Sequence, residues 1–147
     1  MHMKLHTRLM ISLALCVSMP VLAANASLDA KVAAVRNLHP GLSFDRIDVP
    51  TAGNMIADMM MLATIKSGAG STASQAIIDE MTQGGQPLVV MGEKDNLAEA
   101  TLERALQDGK DKLQGKSVTL VGAEEYREPL QKAAQSAGVN LEFVPVP

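Results

Sequence analysis

Few side chains in this 147-residue chain have the type and spacing that catalysis or metal binding requires. A Ser–His–acid triad would have to use His39, which precedes Pro40-Gly41 in a segment typical of a turn. The adjacent acids Asp79-Glu80 and Glu124-Glu125 diverge if they lie on helices, so neither pair forms an acid–base couple by itself. The sequence therefore predicts a non-enzymatic protein without a catalytic residue, a cofactor or a metal site.

A methionine cluster is the next feature with chemical potential. Met55 and Met59 to Met61 fall within seven residues, and thioethers are ligands of Cu(I). Methionine is also a good helix former and an adaptable core residue, and no His or Cys accompanies the cluster. We therefore interpret these methionines as core residues of a helix rather than as copper ligands.

A glycine-rich segment follows the methionines. Residues 68–73 match the pattern G-x-G-x-x-A, in which glycines let the backbone approach a pyrophosphate at the start of a helix. Glu93 lies 25 residues after Gly68, near the expected place of a ribose-binding acid. Residues 59–93 therefore resemble the first half of a Rossmann nucleotide-binding unit. The favoured interpretation is a connection between two helices, because the residues before Gly68 are more typical of a helix than of a strand.

The first 26 residues have the order of a secretory signal peptide. Lys4 and Arg8 precede an apolar run at 9–17, and small residues follow Pro20. Cleavage after Ala23 or Ala26 fits this pattern equally well. The run falls short of the roughly 20 residues that span a bilayer. We therefore predict a signal peptide at 1–26, a single domain at 27–147, and a protein located in the periplasm or secreted, without a membrane span after cleavage.

Cleavage would change the composition of the chain. The only cysteine, Cys16, lies in the predicted signal peptide, so the mature chain would form neither disulfides nor thiolate metal sites. Loss of Lys4 and Arg8 leaves 11 basic residues against 16 acids, a formal charge of −5. Aromatic residues make up 2% of the chain and there is no Trp. Nucleic acid is therefore a poor candidate partner.

The periodicity of the remaining sequence predicts alternating helices and strands. Short helices are predicted at 28–38 and 72–82, and edge strands at 42–49 and 140–144. Residues 87–91 and 118–121 are continuous apolar runs typical of central parallel strands. Two further helices are predicted: one to about residue 113, with a capping box at Asn96 and Glu99, and one at 126–137. Residues 54–66 favour a helix, but the run at 59–65 also fits a buried strand.

These elements predict a small three-layer α/β domain with three to four mostly parallel strands, built from βαβ units after a short N-terminal helix. Ligands of open parallel sheets bind beside the carboxyl ends of the strands. The residues there are the candidate ligand-binding residues: Gly53, Asn54, Gly92, Glu93, Lys94, Gly122 and Glu124.

Two functions follow from these observations. The first is a non-enzymatic module that binds another envelope or secreted protein. The second is a Rossmann-like domain that binds a small ligand or a nucleotide through the loops at the strand ends. The sequence specifies neither the partner nor the oligomeric state.

Overall fold

The computed structural model describes residues 25–147, so the predicted signal peptide and the cleavage site after Ala23 lie almost wholly outside the described residues. The described chain alternates helices with the strands of one parallel sheet. Its elements are α1 (Leu28–Leu38), β1 (Asp45–Val49), α2 (Met55–Lys66), α3 (Thr72–Gln83), β2 (Leu88–Gly92), α4 (Asp95–Asp108), α5 (Lys110–Leu113), β3 (Ser117–Gly122), a 3-10 turn (Glu124–Tyr126), α6 (Arg127–Ala137) and β4 (Asn140–Pro145). The predicted α/β class is confirmed.

The strands lie in the order β1-β2-β3-β4, and each neighbouring pair is parallel. The two continuous apolar runs form the central strands β2 and β3, where Val90 pairs with Leu120. The more polar segments form the edges β1 and β4, as predicted. Side chains alternate between the faces of a strand, so both faces of the two central strands need cover.

Two hydrophobic clusters cover these faces. Val90, Leu120 and Phe143 belong to the larger cluster, which also contains residues of α3, α4 and α6. Val89 and Val121 point the other way and pack with Val35 of α1 in a smaller cluster. The predicted three layers are therefore α1, the sheet, and the remaining helices.

The ambiguous segment at 54–66 is a helix. Asn54 caps it, because its side chain accepts a hydrogen bond of 2.9 Å from the Ala57 amide. Gly53 and Gly68, which flank α2, both have positive φ, a conformation that favours glycine.

Two details of the long helix prediction are wrong. Gly109 interrupts the helix, so α4 ends at Asp108 and α5 follows. A Cβ at Gly109 would lie 2.8 Å from Leu113 Cδ1, so a larger residue there would require the Leu113 side chain to shift. The predicted capping box is absent because α4 begins at Asp95, after the cap residue Lys94, which makes no side-chain capping bond.

Candidate functional site

The loops that follow β1, β2 and β3 meet at the carboxyl edge of the sheet, as parallel strands require. Beside them lies a groove of about 650 Å³. Four of the predicted ligand-binding residues line it, namely Gly53, Asn54, Glu93 and Lys94. Helix α2 forms one wall through Met55, Asp58 and Met59, and Asn96 and Tyr126 also contribute.

The other three predicted residues do not line this groove. Gly92 and Gly122 are buried, and a Cβ at Gly92 would lie 3.1 Å from the Val49 carbonyl oxygen. These glycines therefore serve the packing of the strand ends. Glu124 lines a separate concavity of about 390 Å³ and forms an ion pair with Arg127 across 2.5 Å. The predicted set is thus divided between two surfaces and the interior.

A buried ion pair connects α1 with the carboxyl edge of the sheet. Lys31 of α1 is fully buried, and its ammonium pairs with Asp95 and donates to the Gly92 carbonyl oxygen at 2.6 Å. The second Asp95 oxygen accepts from the Ala123 amide at 3.1 Å. These bonds join α1 to the loops after β2 and β3.

No role for Lys31 was predicted from the sequence. Lys31 lies in the predicted helix at 28–38, together with the apolar residues Leu28 and Val35. The signal was present, since Lys31 lies three and four residues from these two and therefore shares their face. A charged residue at such a position is normally assigned to solvent, and only the distant carboxylate of Asp95 makes its burial possible.

Glu99 of α4 and Tyr126, which lines the groove, both have a raised pKa. Burial raises the pKa of Glu99 above 4.5, neighbouring Glu103 adds to the effect, and Lys66 opposes it. Burial also raises the pKa of Tyr126, with Glu125 as the next contribution. Lys94 is the one cationic side chain among the described residues that line the groove. These surroundings disfavour a multiply charged anion there.

The glycine-rich segment does not share this edge. It joins α2 to α3, so it follows a helix, not the strand that the dinucleotide pattern requires. Gly68 and Gly70 lie against Arg104 and Asp108, in the last turns of α4, whereas Glu93 precedes the first turn. A Cβ at Gly70 would lie 3.6 Å from an Asp108 carboxylate oxygen, and Asp108 pairs with Arg104, so this ion pair lies beside the glycines. The fingerprint residues are therefore not assembled into one nucleotide site.

The order of the strands also lacks the usual ligand crevice. In open parallel sheets the crevice forms where the strand order reverses. Here every connection advances to the next strand in the same direction, so the described sheet has no reversal. The groove instead arises because α2 stands beside the loops after β1 and β2.

Helix α2 carries the most unusual surface of the described chain. Met55, Ile56, Met59 and Met60 are 76, 70, 64 and 67% exposed, and together we call them the α2 apolar face. Ile65 is the buried residue of the helix, and Met61 and Leu62 pack partly against the larger cluster. The interpretation of the methionines as core residues is therefore wrong for Met55, Met59 and Met60. A run that is apolar on all sides of a helix does not indicate which side is covered.

The described residues contain no group of three or more His, Cys, Asp or Glu side chains placed to hold a metal ion. No helix at 25–147 is long and apolar enough to cross a membrane. His39 ends α1 and its Nε2 lies 2.7 Å from Glu142 Oε1 on β4.

No protein-family model, curated protein or solved structure matches the chain. The groove and the α2 apolar face are the two surfaces of the described chain that bear on its function.

Proposed function

We propose that this protein is a non-enzymatic module of the cell envelope that binds another protein through the α2 apolar face. The observation that carries the proposal is the exposure of four large apolar side chains, each at least 64% exposed, on two adjacent turns of one helix. Contiguous exposed apolar surface is typical of interaction sites, and scattered single residues are not. Methionine side chains adapt their shape to a partner, which suits a docking surface.

Placement in the envelope rests on the residues before the fold. The basic start, the apolar run at 9–17 and the small residues near Ala23 form the order of a signal peptide. The α2 apolar face lies within the predicted mature domain at 27–147. The mature protein would carry no cysteine, so its binding surface would be insensitive to thiol oxidation.

The test is affinity capture from envelope extract with the wild-type chain and two variants. Met59→Glu places a charge in the centre of the α2 apolar face, while Gln131→Glu adds the same charge on exposed α6. We expect Met59→Glu to lose specifically captured proteins and Gln131→Glu to retain them. Equal capture by both variants would contradict binding through α2.

A small-ligand function is the second candidate, and the groove is the observation that favours it. Its volume of about 650 Å³ lies within the ~300–1,000 Å³ of small-molecule sites, and Glu93, Asn96 and Tyr126 supply polar groups. A ligand that binds the native state raises the melting temperature. Such a rise that Glu93→Gln removes, with unchanged protein capture, would favour this function over the first.

A further inference from the structure

The exposed surface of α2 extends beyond the four large side chains. Ala63 and Thr64 are exposed on the next turn, so the exposed positions before the terminal Lys66 are 55, 56, 59, 60, 63 and 64. Residues at this spacing form one face of a helix. The face is uneven, because its first two turns carry Met and Ile and its last turn carries the smaller Ala63 and Thr64.

This unevenness makes the face complementary to itself in one orientation. When two copies of α2 lie antiparallel about a two-fold axis between residues 59 and 60, Met55 and Ile56 of one copy lie level with Thr64 and Ala63 of the other. Met59 and Met60 of the two copies meet at the axis. At the two ends of the contact, large residues therefore lie beside small ones, which is how well-packed helix surfaces interdigitate. A parallel pair would place Met55 against Met55 and leave a gap at Ala63.

The charges near the two ends of α2 favour the same orientation. Asp58 and Glu93 lie at the groove end of the helix, and Lys66 is the last helical residue at the other end. Neither Glu93 nor Lys66 belongs to an ion pair among the described residues. Antiparallel pairing carries Lys66 of one copy towards Asp58 and Glu93 of the other. Lys94 lies at the same end of α2, but the two acids leave a net negative charge there.

On these grounds we infer that the occupant of the α2 apolar face is a second copy of this chain, paired α2 to α2 in an antiparallel, two-fold arrangement. This inference rests on the proposed function, because it names the partner of the same surface. Two-fold pairing through one patch is the commonest form of self-association. A twelve-residue helix is about 18 Å long, so the contact is smaller than the ~800 Å² per partner of standard interfaces. The dimer is accordingly weak and reversible.

Sedimentation over a concentration series tests the self-association. Wild type is expected to shift from monomer to dimer as its concentration rises. Met59→Glu brings two negative charges together at the axis, so its dissociation constant should rise about tenfold or more, while Gln131→Glu keeps the wild-type value. Circular dichroism checks that each variant is folded. Monomeric wild type at every concentration, or a dimer that Met59→Glu leaves unchanged, would overturn the inference.

Charge reversal and cross-linking test the orientation. Lys66→Glu and Glu93→Lys should each weaken the dimer, and the double variant should recover most of the loss. In a Cys16→Ser background, a mixture of Met55→Cys and Thr64→Cys chains should cross-link with a short bis-maleimide. Met55→Cys alone should not cross-link, because the two copies of residue 55 in an antiparallel pair lie at opposite ends of the contact, nine residues apart along the helices. Efficient cross-linking of Met55→Cys alone would indicate a parallel pair and contradict the antiparallel one.

The two proposals fail in different ways. If wild type is monomeric but Met59→Glu still loses a captured protein, the second copy is the wrong occupant and the protein-binding function stands. If Met59→Glu changes neither sedimentation nor capture, both proposals are wrong.

Discussion

Lys31 and Asp95 are 64 residues apart in the sequence and form an ion pair in the interior of the protein. The pair joins α1 to the carboxyl ends of β2 and β3, since Lys31 also bonds to Gly92 and Asp95 to Ala123. Lys31 Nζ, both Asp95 carboxylate oxygens and the Gly92 carbonyl oxygen therefore each have a hydrogen-bond partner from another segment of the chain. The position of the N-terminal helix depends on it.

Removing one partner of this pair should be strongly destabilising. Lys31→Met keeps the volume of the side chain but leaves the Asp95 carboxylate buried and unpaired, at a cost of about 3–5 kcal/mol. The double variant Lys31→Met/Asp95→Asn should recover part of this loss, because it no longer buries a charge. Urea denaturation measures both. A single variant as stable as wild type would show that the pair is solvated.

The stability of the protein should depend on the ionisation of Glu99. Burial raises the pKa of Glu99 in the folded state above 4.5, so the folded protein binds more protons than the unfolded chain just above that pH. Its contribution therefore favours folding at low pH and is lost as the pH rises through the window between the unfolded and folded pKa. Glu99→Gln should remove this decrease in the free energy of unfolding with rising pH. Urea unfolding of both proteins from pH 4 to 7 measures it, and parallel curves would contradict the prediction.

Central-strand charges should abolish folding. Val90 and Leu120 are 0 and 1% exposed and pair with each other across β2 and β3. Val90→Asp or Leu120→Asp buries an unpaired charge, which costs several kcal/mol, comparable with the ~5–15 kcal/mol stability of a small domain. Leu42→Asp is the matched control, since Leu42 is 41% exposed. Thermal melting checks the three variants; a cooperative transition near the wild-type temperature for either strand variant would contradict this account of the sheet.

The two glycines before α3 should respond to alanine in opposite directions. Gly68 has φ of 105°, so Gly68→Ala should cost about 1 kcal/mol or more. The φ of Gly70 is not positive, and a Cβ there makes only ordinary contacts, so Gly70→Ala should gain up to about 1 kcal/mol. Denaturant unfolding measures both changes. Calorimetric titration with NAD and ATP completes the test, because nucleotide binding that Gly70→Ala removes would restore the Rossmann interpretation.

Export should leave a mature chain that begins between Ala24 and Ser27. Ala26 packs against the smaller hydrophobic cluster, and the Ser27 side chain accepts from the Ala30 amide at the start of α1. Both contacts survive cleavage after Ala23, whereas cleavage after Ala26 removes the first. N-terminal sequencing of the protein from the periplasm or medium identifies the site. A chain that still begins at Met1 would refute the signal peptide.

The sequence by itself determined the class of the sheet and the succession of helices and strands, apart from the choice between helix and strand at 59–65 and the break at Gly109. Local periodicity and turn residues carry this information, because a strand such as Leu88–Gly92 is apolar at every position whatever its neighbours are. The same reasoning located the carboxyl-edge loops, of which Gly53, Asn54, Glu93 and Lys94 line the groove. These features depend on residues that are close together in the chain.

Only the tertiary structure decided which apolar residues are exposed and which charged one is buried. The exposure of Met59 depends on how α2 packs against α4, and the burial of Lys31 depends on Asp95, far away in the sequence. The strand order, which leaves the described sheet without a ligand crevice, is also a property of the assembled elements. Burial is a relation between distant segments, so a local pattern can indicate that a residue is apolar without indicating what covers it.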